Sequence, residues 1–276
     1  MAYNYEEYIR KGRLPHIWCP GCGYGIIMKS MIRAIAAMGW SKDETVVASG
    51  IGCASRLPGY LDFNTMHTTH GRSLAFATGI KLANPSLKIV ALGGDGDMSA
   101  IGGNHFIHAC RRNIDMTIIV FNNNIYGMTG GQYSPTTPLG AKATTAPYGM
   151  LEPDFDICKL AIAAGATFVA RTTSYHALPM EKLFKEAFSH KGLSVVEVIA
   201  GCPTGFGRKN NQKTPTSMLL WQKDHAVTKQ MAEKMSAEEL EGKFITGILH
   251  QDTSKKEYVE NYDAVTGFTE KIGADI

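Results

Sequence analysis

The chain has 276 residues, 44% hydrophobic and 19% charged, with 29 glycines. This is an ordinary globular composition at the glycine-rich end, typical of α/β folds with ligand-binding loops, and long enough for one large domain or two small ones. Lys and Arg number 28 against 25 for Asp and Glu, a net charge of +3, too small to argue for a nucleic-acid partner or a membrane surface. No apolar run approaches the roughly 18–20 residues that a membrane span needs. The opening stretch MAYNYEEYIRKGRLP is polar and lacks the apolar core of a signal peptide. The expectation is a cytoplasmic chain whose six cysteines are thiols or ligands, not disulfides.

In chain order, residues 24–38 carry apolar residues at helical spacing, closed by Met38-Gly39. TVVAS (45–49) reads as a short buried strand that runs into GIGCASRLPGY. Residues 72–83 are helical and stop at Asn84-Pro85. KIVALGG (88–94) is a second strand, 99–113 a helix start followed by an amphipathic helix, and 116–124 a third strand. Helix 154–165, strand 166–170, helix 180–190 and strand 193–200 continue the alternation. Short, continuous Val- and Ile-rich strands separated by helices predict a mostly parallel sheet covered on both faces. Beyond about residue 205 the chain turns polar and basic, with a charged helix expected over 232–244. Residues 1–204 are therefore read as one domain. Residues 205–276 are read as a C-terminal extension packed on that domain or on a partner.

In an open parallel sheet, ligands bind at the carboxyl ends of the strands. Strand 88–94 ends in Gly93-Gly94-Asp95-Gly96-Asp97, and strand 116–121 ends in Asn122-Asn123-Asn124. A dinucleotide fingerprint G-x-G-x-x-G fails here, because Gly94 and Gly96 are followed by Ser99 at the third place. An Asp between those glycines would repel a diphosphate unless a divalent cation lay between them, and Mg²⁺ favours such hard oxygen ligands. Gly-Asp-Gly followed by Asn-Asn, with Asp95 and Asn123 28 residues apart, resembles the thiamine-diphosphate-binding motif. The resemblance implies Asp95, Asn123 and the Ile125 carbonyl as Mg²⁺ ligands.

Four cysteines sit beside Gly or Pro in loops: Cys19 and Cys22 in CPGCG, Cys53 in GIGCAS and Cys202 in GCPTG. Cys110 and Cys158 instead fall within predicted amphipathic helices and read as small buried side chains. Four loop thiolates suit Zn²⁺ or a 4Fe-4S cluster. Structural zinc more often takes two close Cys-x-x-Cys pairs. Here one pair is joined by two single cysteines, Cys53 and Cys202, 149 positions apart. A Cys followed by Pro, as at 202–203, recurs in ferredoxins.

Together CPGCG, GIGC, HTTHGR, GGDGD, NNNIYGMTGGQ and GCPTG, in this order, resemble the β subunits of the 2-oxoacid:ferredoxin oxidoreductases, and WCPGCGYG is most similar to the 2-oxoglutarate type. The resemblance implies the diphosphate-type domain of the thiamine-diphosphate fold. It implies one 4Fe-4S cluster on Cys19, Cys22, Cys53 and Cys202. Ile51, Gly52, Cys53, Ala54, His70, Gly94, Gly96, Asp97, Asn123, Gly127 and Met128 would lie around thiamine diphosphate. Implied too is oxidative decarboxylation of 2-oxoglutarate with coenzyme A to succinyl-CoA. Electrons would pass through the cluster to ferredoxin, and the reaction would be reversible so that CO₂ can be fixed. An α subunit would complete the enzyme, as a heterodimer or a dimer of heterodimers, and supply the aminopyrimidine-binding side. His70 reads as a catalytic residue beside the cofactor, or as a hydrogen-bonded loop histidine. Arg56 is the candidate to pair the far carboxylate of the substrate, with Arg72 as its rival. A pyruvate or broad-specificity enzyme with the same machinery, and a zinc-bound interaction protein without catalysis, are the competing readings.

Overall fold

The computed structural model describes residues 4–267. Its elements in chain order are α1 (Tyr24–Ala37), β1 (Thr45–Ser49), β2 (Asn64–His67), α2 (Ser73–Ala83), β3 (Lys88–Gly94), α3 (Gly103–Arg112) and β4 (Met116–Asn122). They continue with α4 (Ile157–Ala164), β5 (Phe168–Thr173), α5 (Ala177–Ser189), β6 (Leu193–Ile199) and α6 (Pro215–His225). The last are β7 (Ala226–Thr228), α7 (Lys229–Ala232), β8 (Phe244–Gln251) and α8 (Tyr258–Thr266). Among the described residues the strands form one eight-stranded sheet in the order β2-β1-β3-β4-β6-β5-β8-β7. All pairings are parallel except β5 with β8, whose register shifts at Val169/Ala170.

Neighbouring strand residues divide between two apolar layers, as the period of two requires. Val47, Val90, Ile119 and Val196 pack with Ile27 and Met31 of α1 and Phe184 of α5. Val46, Ile89, Ile118 and Val195 pack on the other face with Leu74 of α2, Phe106 of α3 and Cys158 of α4. Both faces are thus buried, which is why the strands read as continuous apolar runs and not as alternating ones.

Two expectations are corrected. The charged stretch 232–244 is not a helix. Ser236 and Glu239 cap a single turn reciprocally, Gly242 follows at φ 71°, and β8 begins at Phe244. The left-handed glycine ends the turn before a helix can propagate. The fifth strand lies over Phe168–Thr173, later than 166–170, because Gly165 at φ 100° is the helix cap and Ala166-Thr167 complete the connection. Short β2, exposed or half-buried at every position, gave no apolar signal.

The topology creates a crevice. The connection after β1 leaves on the α1/α5 side, where Ala54, Leu57 and Leu61 join that core. The connection after the adjacent strand β3 leads to α3 on the opposite face. Diverging connections from neighbouring parallel strands open a ligand site at their carboxyl ends.

Candidate functional site

Four adjacent strands, β1, β3, β4 and β6, deliver the candidate residues from their carboxyl ends. β1 leads to Ile51–Ala54, β3 to Asp95–Asp97, β4 to Asn123–Ile125 and β6 to Cys202. A cavity of about 100 Å³ lies among the first three loops. Ile51, Gly52, Cys53, Ala54, His70, Gly94, Asp95, Gly96, Asp97, Asn123, Ile125, Gly127 and Met128 all line it, joined by Tyr24, Tyr126 and Thr129. Complete small-molecule clefts hold roughly 300–1,000 Å³, so this wall is only part of a site.

Asp95 is buried at 2% exposure. Its Oδ2 accepts from Ser134 Oγ and lies 2.6 Å from Thr136 Oγ1. Burial raises its pKa to about 6 although both hydroxyls favour the anion. A buried carboxylate with this bias gains from a cation beside it. Asn123 is fixed by Tyr24, whose hydroxyl accepts from Nδ2 at 2.8 Å. Its Oδ1 accepts from the Ile125 N–H at 3.3 Å. Asn124 takes φ 60°, a conformation that Asn tolerates and that aims the loop back over the site. Carboxylate, amide oxygen and nearby carbonyl form a hard-oxygen donor set that fits Mg²⁺.

Asp97 Oδ1 holds His70 Nδ1 and accepts from the N–H groups of Gly71 at 2.7 Å and Ile51 at 3.2 Å. Oδ1 thus orders the two loops, while Oδ2 is buried without a hydrogen-bond partner. With Nδ1 engaged, His70 has Nε2 left for chemistry in the cavity its ring lines. Tyr126 packs edge-on to His70 at 6.1 Å. Its hydroxyl donates to the Gly96 carbonyl at 3.1 Å, and burial with the Asp95 and Asp97 charges pushes its pKa up to about 12.

The four loop cysteines gather near one another, and Cys53 of the four lines this cavity. The Trp18 indole N–H donates to the Cys53 carbonyl at 2.7 Å, and the Gly201 N–H to the Cys22 carbonyl at 3.2 Å. Cys19 and Cys202 Sγ each lie 3.9 Å from the Thr204 hydroxyl. Burial pushes the Cys22 and Cys53 thiols up to about 11, and neighbouring thiols of the quartet add to the rise. A Cβ at Gly127 would stand 3.1 Å from Cys202 Sγ and 3.9 Å from Cys53 Sγ; one at Gly205 would stand 3.0 Å from Cys202 Sγ. Glycine leaves space at the sulfurs that any other residue would take. Tetrahedral Zn²⁺ would hold sulfurs about 3.8 Å apart, given Zn–S bonds near 2.3 Å. Among the described residues, only Asp156, Cys158 and Glu197 bring ligand atoms within 4.8 Å of one another as a group of three or more. The four loop thiols do not form such a group.

Arg56 is exposed on the 3-10 turn Ala54–Gly59. It does not line the cavity, though its charge lowers the pKa of the Cys53 thiol against the larger effects of burial and the Cys202 and Cys19 thiols. Arg72 braces the loops through the carbonyls of Gly71 and Ile101 at 3.3 and 3.1 Å. Cys110 and Cys158 lie in the helix–sheet core at 0% and 1% exposure, but Cys158 also donates to Glu197 Oε2 at 3.3 Å. Sequence reading missed Tyr24, Tyr126, Ser134 and Thr136. The last two sit in the loop 123–156, which carries no periodicity and is held by side-chain bonds such as Thr137 Oγ1 to the Asn124 carbonyl at 2.7 Å.

Residues 47–198 match the family "Thiamine pyrophosphate enzyme, C-terminal TPP binding domain". The 2-oxoglutarate synthase subunit KorB of Methanocaldococcus jannaschii is 52% identical over 254 residues, 92% of this chain and 94% of the relative. That of Archaeoglobus fulgidus is 62% identical over 204 residues, 74% of this chain and 76% of the relative. The structure of 2-oxoglutarate:ferredoxin oxidoreductase from Magnetococcus marinus, with 2-oxoglutarate, coenzyme A and succinyl-CoA bound, superposes with a TM-score of 0.84 at 33% identity, covering 98% of this chain and 91% of that one. A parallel sheet with this crevice, matched along nearly its whole length, makes the chain a member of the 2-oxoacid:ferredoxin oxidoreductase β subunits, of the 2-oxoglutarate synthase type.

Proposed function

We propose that the chain is the catalytic β subunit of a 2-oxoglutarate:ferredoxin oxidoreductase. It converts 2-oxoglutarate, coenzyme A and two oxidised ferredoxins into succinyl-CoA, CO₂, a proton and two reduced ferredoxins, and runs in reverse to fix CO₂ when ferredoxin is strongly reduced. The observation that carries this reading is that Cys53 and Asp95 line one cavity. A thiol of the quartet and a carboxylate of the metal-type donor set thus face the same space.

Asp95, Asn123 and the Ile125 carbonyl would hold Mg²⁺, and Gly94 and Gly96 would let a diphosphate approach the backbone. Thiamine diphosphate supplies the electron sink for loss of CO₂ from a 2-oxoacid. Tyr24 keeps the Asn123 amide in one orientation, and Asp97 keeps His70 in one tautomer, so that Nε2 accepts or returns a proton. Ile51, Gly52, Ala54, Gly127 and Met128 line the cavity around the cofactor. Cys19, Cys22, Cys53 and Cys202 would hold a 4Fe-4S cluster, which would supply one-electron transfer. Arg56, next to Cys53, is the cation for the second carboxylate of the substrate, since burying that charge unpaired costs several kcal/mol. The incomplete cavity supports dependence on an α subunit. Exposed Leu139, Tyr148 and Leu151, at 65%, 98% and 88%, offer that subunit apolar side chains. Residues 1–204 carry the cofactors, and β8 of the extension that follows them covers the β5 edge. No described helix is long and apolar enough to cross a membrane, and the six unpaired cysteines suit the cytoplasm.

Purification with its α subunit in the absence of oxygen tests the reading. A brown protein with roughly four irons per β chain, reducing ferredoxin on 2-oxoglutarate and coenzyme A, is expected. A colourless zinc protein overturns the cluster and the chemistry with it. Preference for pyruvate overturns the substrate.

A further inference from the structure

Glu197 stands in the middle of β6, in LSVVEVI, at 2% exposure. The positions around it are buried Val and Ile, so packing alone would favour another apolar residue. A buried carboxylate is costly unless every lone pair is used. Here both oxygens are used, and differently. Oε2 accepts from Arg171 Nε at 2.6 Å and from the Cys158 thiol at 3.3 Å. Oε1 accepts from Asn122 Nδ2 at 2.7 Å. Arg171 is itself bound to Asp156 on its far side.

Asn122 has no choice of orientation. Glu197 accepts only, so it requires the amide nitrogen; the Asn124 N–H, 3.1 Å from Oδ1, requires the amide oxygen. That oxygen also lies 2.9 Å from Thr136 Oγ1, which lies 2.6 Å from Asp95 Oδ2. One hydroxyl proton is therefore shared between Asn122 and Asp95. The chain of bonds separates the cofactor-side cavity from a larger one of about 550 Å³, which Asp156, Cys158, Arg171 and Glu197 line together with Asn122 and Thr136.

We propose that Glu197 is a positioning residue for the metal-binding pair: by locking the Asn122 amide it sets both the Thr136 hydroxyl against Asp95 and the Asn122–Ile125 turn that presents Asn123. The inference rests on Asp95 and Asn123 being the Mg²⁺ ligands.

Glu197→Gln follows from donor counting. Glutamine has one acceptor arm, and Arg171, being charged, takes it. The new NH₂ then faces Asn122, whose amide flips to offer its oxygen. The flipped NH₂ opposes the Asn124 N–H, so the turn opens, and Thr136 gives its proton wholly to Asp95, which then draws less on the metal. Adding Asn122→Asp to Glu197→Gln restores acceptors on both sides of residue 122 with the total charge unchanged. Asp156→Asn disturbs the same buried ion pair, keeps a good helix cap and leaves the Glu197–Asn122 bond intact.

The test is Mg²⁺ titration of metal-stripped αβ enzyme at saturating thiamine diphosphate, followed by calorimetry, with iron content measured alongside. E197Q should bind Mg²⁺ about tenfold or more weakly with unchanged iron. Asp156→Asn should stay within about twofold, and the E197Q/N122D pair should recover to within about threefold. E197Q binding like the parent, equal losses in E197Q and D156N, or no recovery in the pair overturns the proposal. If E197Q fails to fold, the pair decides: parent-like Mg²⁺ affinity supports the proposal and a tenfold loss overturns it. Asp95→Ala separates the two levels, because normal Mg²⁺ binding there overturns the ligand assignment itself.

Discussion

The Trp18 indole N–H donates to the Cys53 carbonyl oxygen at 2.7 Å, which ties the loop carrying Cys19 and Cys22 to the loop carrying Cys53. The ring is 7% exposed and packs edge-on against Tyr24 and Tyr60. Trp18→Phe keeps most of that packing and removes the bond, worth ~1 kcal/mol net. Loop opening should become about fivefold easier. The expected outcome is a full cluster under anaerobic purification and about fivefold faster bleaching in air, read as the decay of the visible absorbance. Unchanged bleaching would show that the two loops are held by other contacts.

Cysteine replacement separates ligands from packing. Cys202→Ala should lose or degrade the cluster, whereas Cys110→Ala and Cys158→Ala should retain the parent iron content. Cys110 and Cys158 face the helix–sheet core, with no path to the quartet. Loss of iron on Cys158→Ala with retention on Cys202→Ala would reverse the assignment.

Arg56→Met, assembled with the α subunit, should raise KM for 2-oxoglutarate far more than KM for an uncharged 2-oxoacid. A guanidinium pairs a carboxylate through two parallel bonds, and methionine cannot. Equal losses for both substrates would place Arg56 in assembly or in tuning Cys53, and no loss would move the carboxylate-binding group to the α subunit.

Asp115 lies between the Lys81 ammonium at 2.9 Å and that of Lys191 at 3.0 Å, with Lys81 buried. Burial alone would raise the Asp115 pKa, but the two lysines hold it below the usual carboxylate value. A depressed folded-state pKa gives stability that is present above the unfolded value and lost only as pH falls through the folded one. Asp115→Asn, leaving a buried ammonium unpaired, should cost ~3 kcal/mol, roughly 6–10 °C in Tm. The same gap is expected at pH 6 and pH 8. A gap that changes between them would assign the effect to another titrating group.

The main lines of the fold were legible because both faces of the sheet are buried, so strands such as KIVALGG and MTIIVFN read as apolar runs. β2, β7 and β8 were not, because they lie at the two ends of the sheet and their residues are mostly half-buried or exposed. Every residue expected around the cofactor lies in a short motif at a strand end, where topology brings distant segments together. Of those that escaped notice, Tyr24 and Tyr126 line the cavity themselves, and Ser134 and Thr136 act through Asp95. Tyr24 opens a helix and reads as apolar there; Ser134 and Thr136 come from a loop without pattern. Glu197 did leave a trace, a lone carboxylate inside LSVVEVI, as did Arg171 inside FVARTT. Two opposite charges in two buried strands that pair in the sheet can be neutral only together.

The cysteine quartet also sets an order of events during synthesis. Cys202 is made 183 residues after Cys19, about 10–40 s later at roughly 5–20 residues per second. Its neighbour Gly201 docks on the Cys22 carbonyl only once β6 has entered the sheet beside β4. The nascent chain therefore carries an incomplete set of thiols through most of its emergence. A fragment arrested before β6 has three of the four, and the fourth arrives with the strand that completes the parallel centre of the sheet. On the proposed ligand assignment, iron would be loaded only on chains whose central strands have all been made.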